Sequence, residues 1–161
     1  MPFRSWCSCC VRSKSDAPAH KASDEGMLEE MGKGSIPVIS FDYGYMRSEE
    51  SASEEGMPIL FGRDRLSKWH TANVVPAKGR DSYAIRITGK DIDNSGYVKV
   101  IVKTDQEPAI KALVEAVANE RPEEIESAVG ESQSNGEIEA AVKAMQKQIR
   151  TMKLGLEARL G

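Results

Sequence analysis

The chain has 161 residues with an apolar share of 40%, enough for one globular domain of roughly 100 to 150 residues and a tail. Its formal net charge of −3 excludes a uniformly basic nucleic-acid binder, although a local basic face can still bind phosphates. No apolar run approaches the roughly 20 residues of a membrane span, and the start lacks the apolar segment of a secretory signal. Cysteines occur only at positions 7, 9 and 10, too close together for a disulfide framework, so a soluble intracellular protein is expected.

The first third of the chain divides into a leader and the start of a core. Residues 1–34 mix basic, small and acidic residues without periodicity, which predicts an extended, mostly disordered leader ahead of a domain at 35–161. The segment IPVISFDYGYM (36–46) is rich in β-branched and aromatic residues, which predicts a central strand. Asp42 lies inside this strand, and an acidic loop follows it.

Two further strands are predicted at 57–62 and 68–76, and together with the first they form an antiparallel three-strand meander. Trp69 is expected in the core, and His70 as a packed or surface side chain. The next segment, DSYAIRITGKDI, predicts a helix capped by Asp81 or Ser82, although its β-branched residues and glycine weaken the pattern.

The alternating segment YVKVIVKT (97–104) predicts another strand, with Asp105 at its C-terminal end. Pro108 then suits the first turn of a helix. Residues 120–133 are polar and are expected to form a loop, after which Ser134 and Glu137 form a capping box that opens the last helix.

The last helix carries two parallel stripes. The first is apolar and is expected to be buried; it comprises Ile138, Val142, Met145, Ile149, Met152 and Leu156. The second, called here the basic ridge, comprises Glu139, Lys143, Gln146, Arg150 and Lys153. A solvated face with a Glu139–Lys143 ion pair would explain the ridge without any function. The alternative is that the ridge binds DNA phosphates through Lys143, Arg150, Lys153 and, off the ridge, Lys147.

Three carboxylates favour the second interpretation. Asp42 lies in a central strand, Asp105 at the end of the next core strand, and Glu139 on a following helix. Oxygen ligands in this arrangement suit two Mg²⁺ ions, which stabilise both the attacking and the leaving oxygen in phosphoryl transfer.

The stretches FDYGYM, KTDQEPAI and SNGEIEAAVKAMQ resemble, in this order, the three blocks of the retroviral and retrotransposon integrase core, especially the copia-like integrases. The resemblance covers about residues 36–161 and implies a ribonuclease H-like α/β fold, in which helices flank a mixed sheet of a meander plus a parallel strand. It also implies a catalytic triad of Asp42, Asp105 and Glu139, the last two lying 34 positions apart (139 minus 105), that binds Mg²⁺ or Mn²⁺. The implied activity is 3′-end processing and DNA strand transfer, and the implied partners are the element ends and the target DNA. The resemblance also implies that the chain can associate with itself, that it does not bind a membrane, and that it acts in the nucleus.

The leader segment RSWCSCC resembles the end of the zinc-binding segment that precedes such cores. Cys7 and Cys10 match its final C-x-x-C pair, but two of four ligands leave a zinc site incomplete. Since such cores continue beyond the long helix, the domain at 35–161 is expected to be C-terminally truncated. The alternative function is therefore a non-catalytic nucleic-acid-binding or interaction remnant of a retroelement polyprotein.

The segment DIDNSGYV (91–98) imitates the start of an EF-hand calcium loop. Its twelfth position is Val102, where a bidentate glutamate is required, and a strand follows it where a helix should. We therefore expect a turn from helix to strand at this segment.

Overall fold

The computed structural model describes residues 4–13, 36–46, 56–127 and 135–160. These residues form four helices and five strands. In chain order they are α1 (Ser8–Arg12), β1 (Val38–Tyr45), β2 (Pro58–Asp64), β3 (His70–Val74), α2 (Ser82–Asn94), β4 (Val100–Thr104), α3 (Pro108–Glu120), β5 (Ile125–Ser127) and α4 (Asn135–Leu160). None of the helices in these ranges is long and apolar enough to cross a membrane.

The strands form one mixed sheet in the order β3-β2-β1-β4-β5. Neighbours are antiparallel from β1 to β3 and parallel from β1 through β4 to β5. This arrangement confirms the predicted meander and the added parallel strand, and it places β1 at the centre. The short strand β5 lies in the segment whose polar composition predicts a loop; its Ile125 is buried in the core.

Side chains alternate across the sheet, and a hydrophobic core lies on each of its two faces. Ile39, Phe41 and Tyr43 of β1 pack in the larger core with residues of α2 and α3. Ile59 and Phe61 of β2 point to the opposite face and pack in a smaller core with α4. The sheet is therefore covered by two helices on one face and by one on the other, the flanking predicted for the α/β fold.

Of the two predicted caps of helix α2, Asp81 is the residue that caps it, and the helix itself starts at Ser82. Asp81 Oδ1 accepts hydrogen bonds from the backbone nitrogens of Tyr83 (3.0 Å) and Ala84 (2.9 Å). Inside the helix, the buried hydroxyl of Thr88 donates to the Ala84 carbonyl at 2.7 Å. Gly89 leaves room for a neighbouring arginine, because a Cβ there would lie 3.1 Å from Arg121 Nε. Thr88 and Gly89, two of the residues that weaken the helical pattern, thus have local partners.

The apolar stripe of α4 is buried only along its first half, which corrects the predicted burial of the whole stripe. Ile138 and Val142 are buried, and Met145 and Ile149 pack against them. Met152 is 49% exposed and Leu156 is 58% exposed, because α4 extends beyond the sheet that covers its first turns. The predicted cap Ser134 lies outside the described residues.

Two other regions differ from expectation. Trp69, expected in the core, is 38% exposed, because it precedes β3, the edge strand of the sheet. In the leader, residues 8–12 form the helix α1 where the sequence predicts extended chain. Cys10 of α1 is buried, and the hydroxyls of Ser13 and Thr151 are hydrogen-bonded at 2.6 Å, so this segment packs on α4. The remainder of the leader, 14–35, lies outside the described residues.

Candidate functional site

Asp42 lies on the central strand β1, and Asp105 directly follows the adjacent parallel strand β4. The register pairs Phe41 of β1 with Thr104 of β4, so Asp42 and Asp105 are the next residues along the two strands. Neighbouring residues in register point to the same face, which here is the face opposite Phe41 and therefore the α4 face. Both side chains are partly buried. The fold thus places these two aspartates, which the sequence singles out, next to each other.

Glu139 approaches them from the first turns of α4. The position of this helix end is fixed by β2, since Arg63 Nη1 donates to the Glu137 carbonyl at 2.8 Å. Arg65 Nε also lies 3.7 Å from a carboxylate oxygen of Glu137. Further along, Gln146 Nε2 donates to the Tyr45 carbonyl at 3.2 Å, so α4 follows β1 across this face. Glu137 thus takes part in docking the helix, while Glu139 is exposed beside the strand aspartates.

The pKa of Asp42 is raised by its burial and by the acidic groups around it. Burial raises the pKa of this carboxyl above its usual range, and the charge of Asp105 raises it further. Glu107 and Glu139 raise it as well, whereas a hydrogen bond from the Tyr43 backbone lowers it. Repulsion between like charges of this kind is relieved by a bound cation.

The donor chemistry of this carboxylate cluster, defined here as Asp42, Asp105 and Glu139, fits a hard divalent cation. In the described ranges, however, no three acidic, histidine or cysteine side chains are arranged so that they could hold a metal ion. The two aspartates are positioned by the sheet, and Glu139 is exposed on a long side chain. The two aspartates are therefore neighbours and Glu139 lies near enough to raise the pKa of Asp42, but the three side chains do not form a metal-binding group as they stand.

Two residues beside this cluster have no signal in the sequence pattern. Lys78 Nζ binds Glu107 Oε1 at 2.7 Å, and Glu107 follows Asp105 by two residues. The backbone nitrogen of Glu107 in turn donates to Asp105 Oδ1 at 2.8 Å. Burial lowers the pKa of Lys78, but the hydrogen bond and charge of Glu107 outweigh it, and the pKa is raised. Lys78 lies in a loop without periodicity, so only the fold reveals this pair.

The basic residues predicted on α4 occupy different environments. Lys143, Arg150 and Lys153 are exposed, whereas Lys147 is partly buried. Lys153 lies 3.7 Å from Glu157 one turn on. Among the ion pairs of the described residues there is none between Glu139 and Lys143. The structure therefore does not contain the ion pair on which the non-functional explanation of the ridge relied.

The predicted zinc ligands lie far along α4 from the carboxylate cluster. Cys7 immediately precedes α1, and Cys10 is buried where α1 packs on α4. Hydrogen bonds involving Cys10 lower the pKa of the Cys7 thiol. No third metal-binding side chain accompanies them in the residues that the structure describes.

The calcium-like segment is mainly helical, and its aspartates have separate partners. Residues 91–94 are the last turn of α2. Asp91 is buried and accepts a hydrogen bond from Asn73 Nδ2 at 2.7 Å. Asp93 pairs with Arg121, whose Nη2 lies 2.6 Å from it. The backbone is therefore not that of a calcium loop, and the chain turns from helix to strand as expected.

Comparisons with known proteins give distant likenesses among solved structures only. No family model matches the chain, and no curated protein matches it. Among solved structures it is similar to a chain in the cryo-EM structure of the simian T-cell lymphotropic virus intasome in complex with the PP2A regulatory subunit B56 gamma. The TM-score is 0.43 and the sequence identity 14%, over 90% of this chain and 60% of that chain. This chain thus spans less than two thirds of that one, and a likeness at this level does not identify an activity.

Proposed function

We propose that the chain is an integrase-type catalytic core with a ribonuclease H-like fold, which binds DNA and catalyses Mg²⁺-dependent phosphodiester transfer. The observation that supports this proposal best is the meeting of Asp42 and Asp105 on two parallel central strands, on the face that α4 covers with Glu139. The mixed sheet, with its meander and its parallel strand, is the sheet that the sequence resemblance implies.

In this mechanism the carboxylate cluster holds the metal. Asp42 and Asp105 would share the first ion, and Glu139 would complete the site for the second. When bound, the ions supply activation of a water or DNA 3′-hydroxyl and neutralise the charge that develops at phosphorus. The sheet would hold the two aspartates near each other, and binding of the ions would require the side chains of Glu139 and of the aspartates to turn toward them.

The basic ridge would hold the DNA beside this cluster. Lys143 follows Glu139 by one helical turn, and Arg150 and Lys153 extend the same exposed face. Lysine and arginine side chains of this kind contact phosphates without reading the base sequence. DNA that lies along α4 would therefore present its backbone to the carboxylates at the start of the helix.

The test is an assay with a plasmid target and a duplex oligonucleotide carrying a free 3′-hydroxyl, in Mg²⁺ or Mn²⁺. We expect Asp105→Asn and Glu139→Gln to lose at least about a hundredfold in nicking and joining, because each removes a metal-binding charge. Glu137→Gln is the matched control on the same helix turn and should retain activity. If the Asp105→Asn variant kept the activity of the wild type, the proposed mechanism would be wrong.

A second function, non-catalytic nucleic-acid binding, is favoured by one observation. Glu139 is exposed, and no ready metal-binding group exists among the described side chains. In that case DNA binding would persist with its salt dependence, but wild-type protein would neither nick nor join DNA in either metal. The same assay therefore separates the two functions.

A further inference from the structure

The ammonium group of Lys78 is held at the edge of the sheet by three side chains. Lys78 Nζ lies 2.7 Å from Glu107 Oε1. It also lies 5.2 Å from the centre of the Tyr43 ring and 5.1 Å from that of Tyr45, within the range of cation–π attraction. Two aromatic rings and one carboxylate thus surround a single cation.

The backbone around Lys78 is also fixed. The nitrogen of the next residue, Gly79, donates to the hydroxyl of Tyr43 at 3.1 Å. Gly79 is buried and has φ of +90°, a conformation that favours glycine. The result is a lysine whose position is set before it meets a ligand.

This cation is connected to the carboxylate cluster through Glu107, near the ends of β1 and β4. The backbone nitrogen of its partner Glu107 donates to Asp105 Oδ1, and both Lys78 and Glu107 side chains are partly accessible, at 27% and 31%. A phosphodiester that approached Asp42 and Asp105 would meet negative charge, unless a cation at this edge compensated for it. While Glu107 neutralises Lys78, that compensation is absent.

We propose that Lys78 contacts a backbone phosphate of DNA bound at the carboxylate cluster, and that Glu107 is an internal counter-ion which this phosphate replaces. The inference rests on the proposed DNA-binding function and deepens it. The lysine has three donors, so it can exchange a carboxylate oxygen for a phosphate oxygen without leaving the two rings. Glu107 then turns toward solvent or toward cations at the cluster.

The test is a double-mutant cycle on DNA affinity, measured in EDTA by fluorescence anisotropy with a labelled duplex. Glu107→Gln frees Lys78 and should tighten binding about threefold, while Lys78→Met should weaken it about threefold or more. In the Lys78→Met background, Glu107→Gln should have almost no effect. The Arg80–Glu115 ion pair, which joins the start of α2 to α3, provides the control through Arg80→Met and Glu115→Gln.

Equal tightening by Glu107→Gln in both backgrounds would show a general loss of negative charge and would overturn the proposal. The proposal also fails if the control pair gives the same pattern, or if the wild type binds no DNA at low salt. Thermal unfolding checks that each variant folds, and Lys78→Gln replaces Lys78→Met if the latter is unfolded. Because the cycle uses no metal and no turnover, it can fail while the Asp105→Asn assay succeeds, and the reverse.

Discussion

At the scale of the residue, Asp42 is a side chain whose position in the fold opposes folding when it is ionised. It is half-buried in the central strand and faces Asp105, Glu107 and Glu139, all of which raise its pKa after burial itself. A carboxyl whose folded pKa is raised opposes folding when it is ionised. The opposition is complete above the folded pKa and vanishes below the unfolded value of about 3.9, where both states are protonated.

We therefore predict that Asp42→Asn raises the melting temperature in EDTA at neutral pH. The gain should shrink as the pH falls through the raised pKa, and it should be small because solvent screens a half-exposed group. Differential scanning calorimetry between pH 3 and 8 measures it. Asp93→Asn is the control of opposite sign: Arg121 lowers the pKa of Asp93, so this change should lower the neutral-pH melting temperature. A lower melting temperature for both variants would contradict the account of Asp42.

The same residues show what the sequence can reveal about a site. Asp42 and Asp105 can be proposed from the sequence because Asp42 lies within a segment rich in β-branched and aromatic residues and Asp105 directly follows an alternating one, and the pairing of β1 with β4 then brings them near each other. Glu139 follows from the spacing of apolar residues on α4 and from the motif around it. Lys78 and Glu107 are different, because their meeting depends on the path of a loop over the sheet edge. No periodic pattern encodes that path.

At the scale of the element, α4 has two halves with different surroundings. Its first turns pack on Ile59 and Phe61, and its later turns pass beyond the sheet and contact α1. The stripe of apolar residues is uniform in sequence, so periodicity alone predicts uniform burial. The length of the opposing strands decides how much of the stripe is covered, and that length is a property of another part of the chain.

This difference gives a stability prediction within a single stripe. Ile138→Ala should reduce the free energy of unfolding by about 2–4 kcal/mol, because it opens a cavity beside Phe61. Met152→Ala, at an exposed position of the same stripe, should change it by less than about 0.5 kcal/mol. Urea unfolding followed by circular dichroism measures both. Similar losses at the two positions would show that the second half of α4 is buried in solution.

The boundaries of strands and helices also cannot be predicted from the periodicity of the sequence alone. The strand β5 has three residues in a polar stretch, too few for any alternation to be visible. Helix α2 contains Ile87, Thr88 and Gly89, which weaken a helical pattern, yet the Asp81 cap, the Thr88 hydrogen bond and the Arg121 guanidinium beside Gly89 accommodate them. In both places tertiary partners decide the local structure.

At the scale of the whole molecule, the net charge of −3 conceals a separation of charge. Acidic side chains gather where β1 and β4 meet the start of α4, while Lys143, Arg150 and Lys153 extend along the exposed face of the same helix. A DNA ligand would therefore bind through a minority of basic groups on an acidic protein. Such binding depends strongly on salt, because each phosphate contact releases a counterion.

We predict that Lys143→Glu weakens DNA binding and reduces the slope of log affinity against log salt by about 0.9, the value of one lost phosphate contact. Lys90→Glu, an exposed position on α2 across the sheet, is the control with the same change of charge and should leave the slope unchanged. Affinity titrations over a range of salt concentrations provide the slopes. An unchanged slope for Lys143→Glu would show that the ridge is only solvated.

The packing of α4 across β1 and β2 also sets the order in which the molecule can form. The side chains of Ile59 and Phe61 cannot pack against α4 until residues 138–142 have been synthesised. Likewise, the Ser13 hydroxyl cannot form its hydrogen bond with Thr151 until that residue has been synthesised. On a ribosome that adds about 5–20 residues per second, the 34 positions from Asp105 to Glu139 take about 2–7 seconds to synthesise. The two aspartates are therefore synthesised before Glu139, and during that interval the face of the sheet that α4 covers has no helix to pack against it.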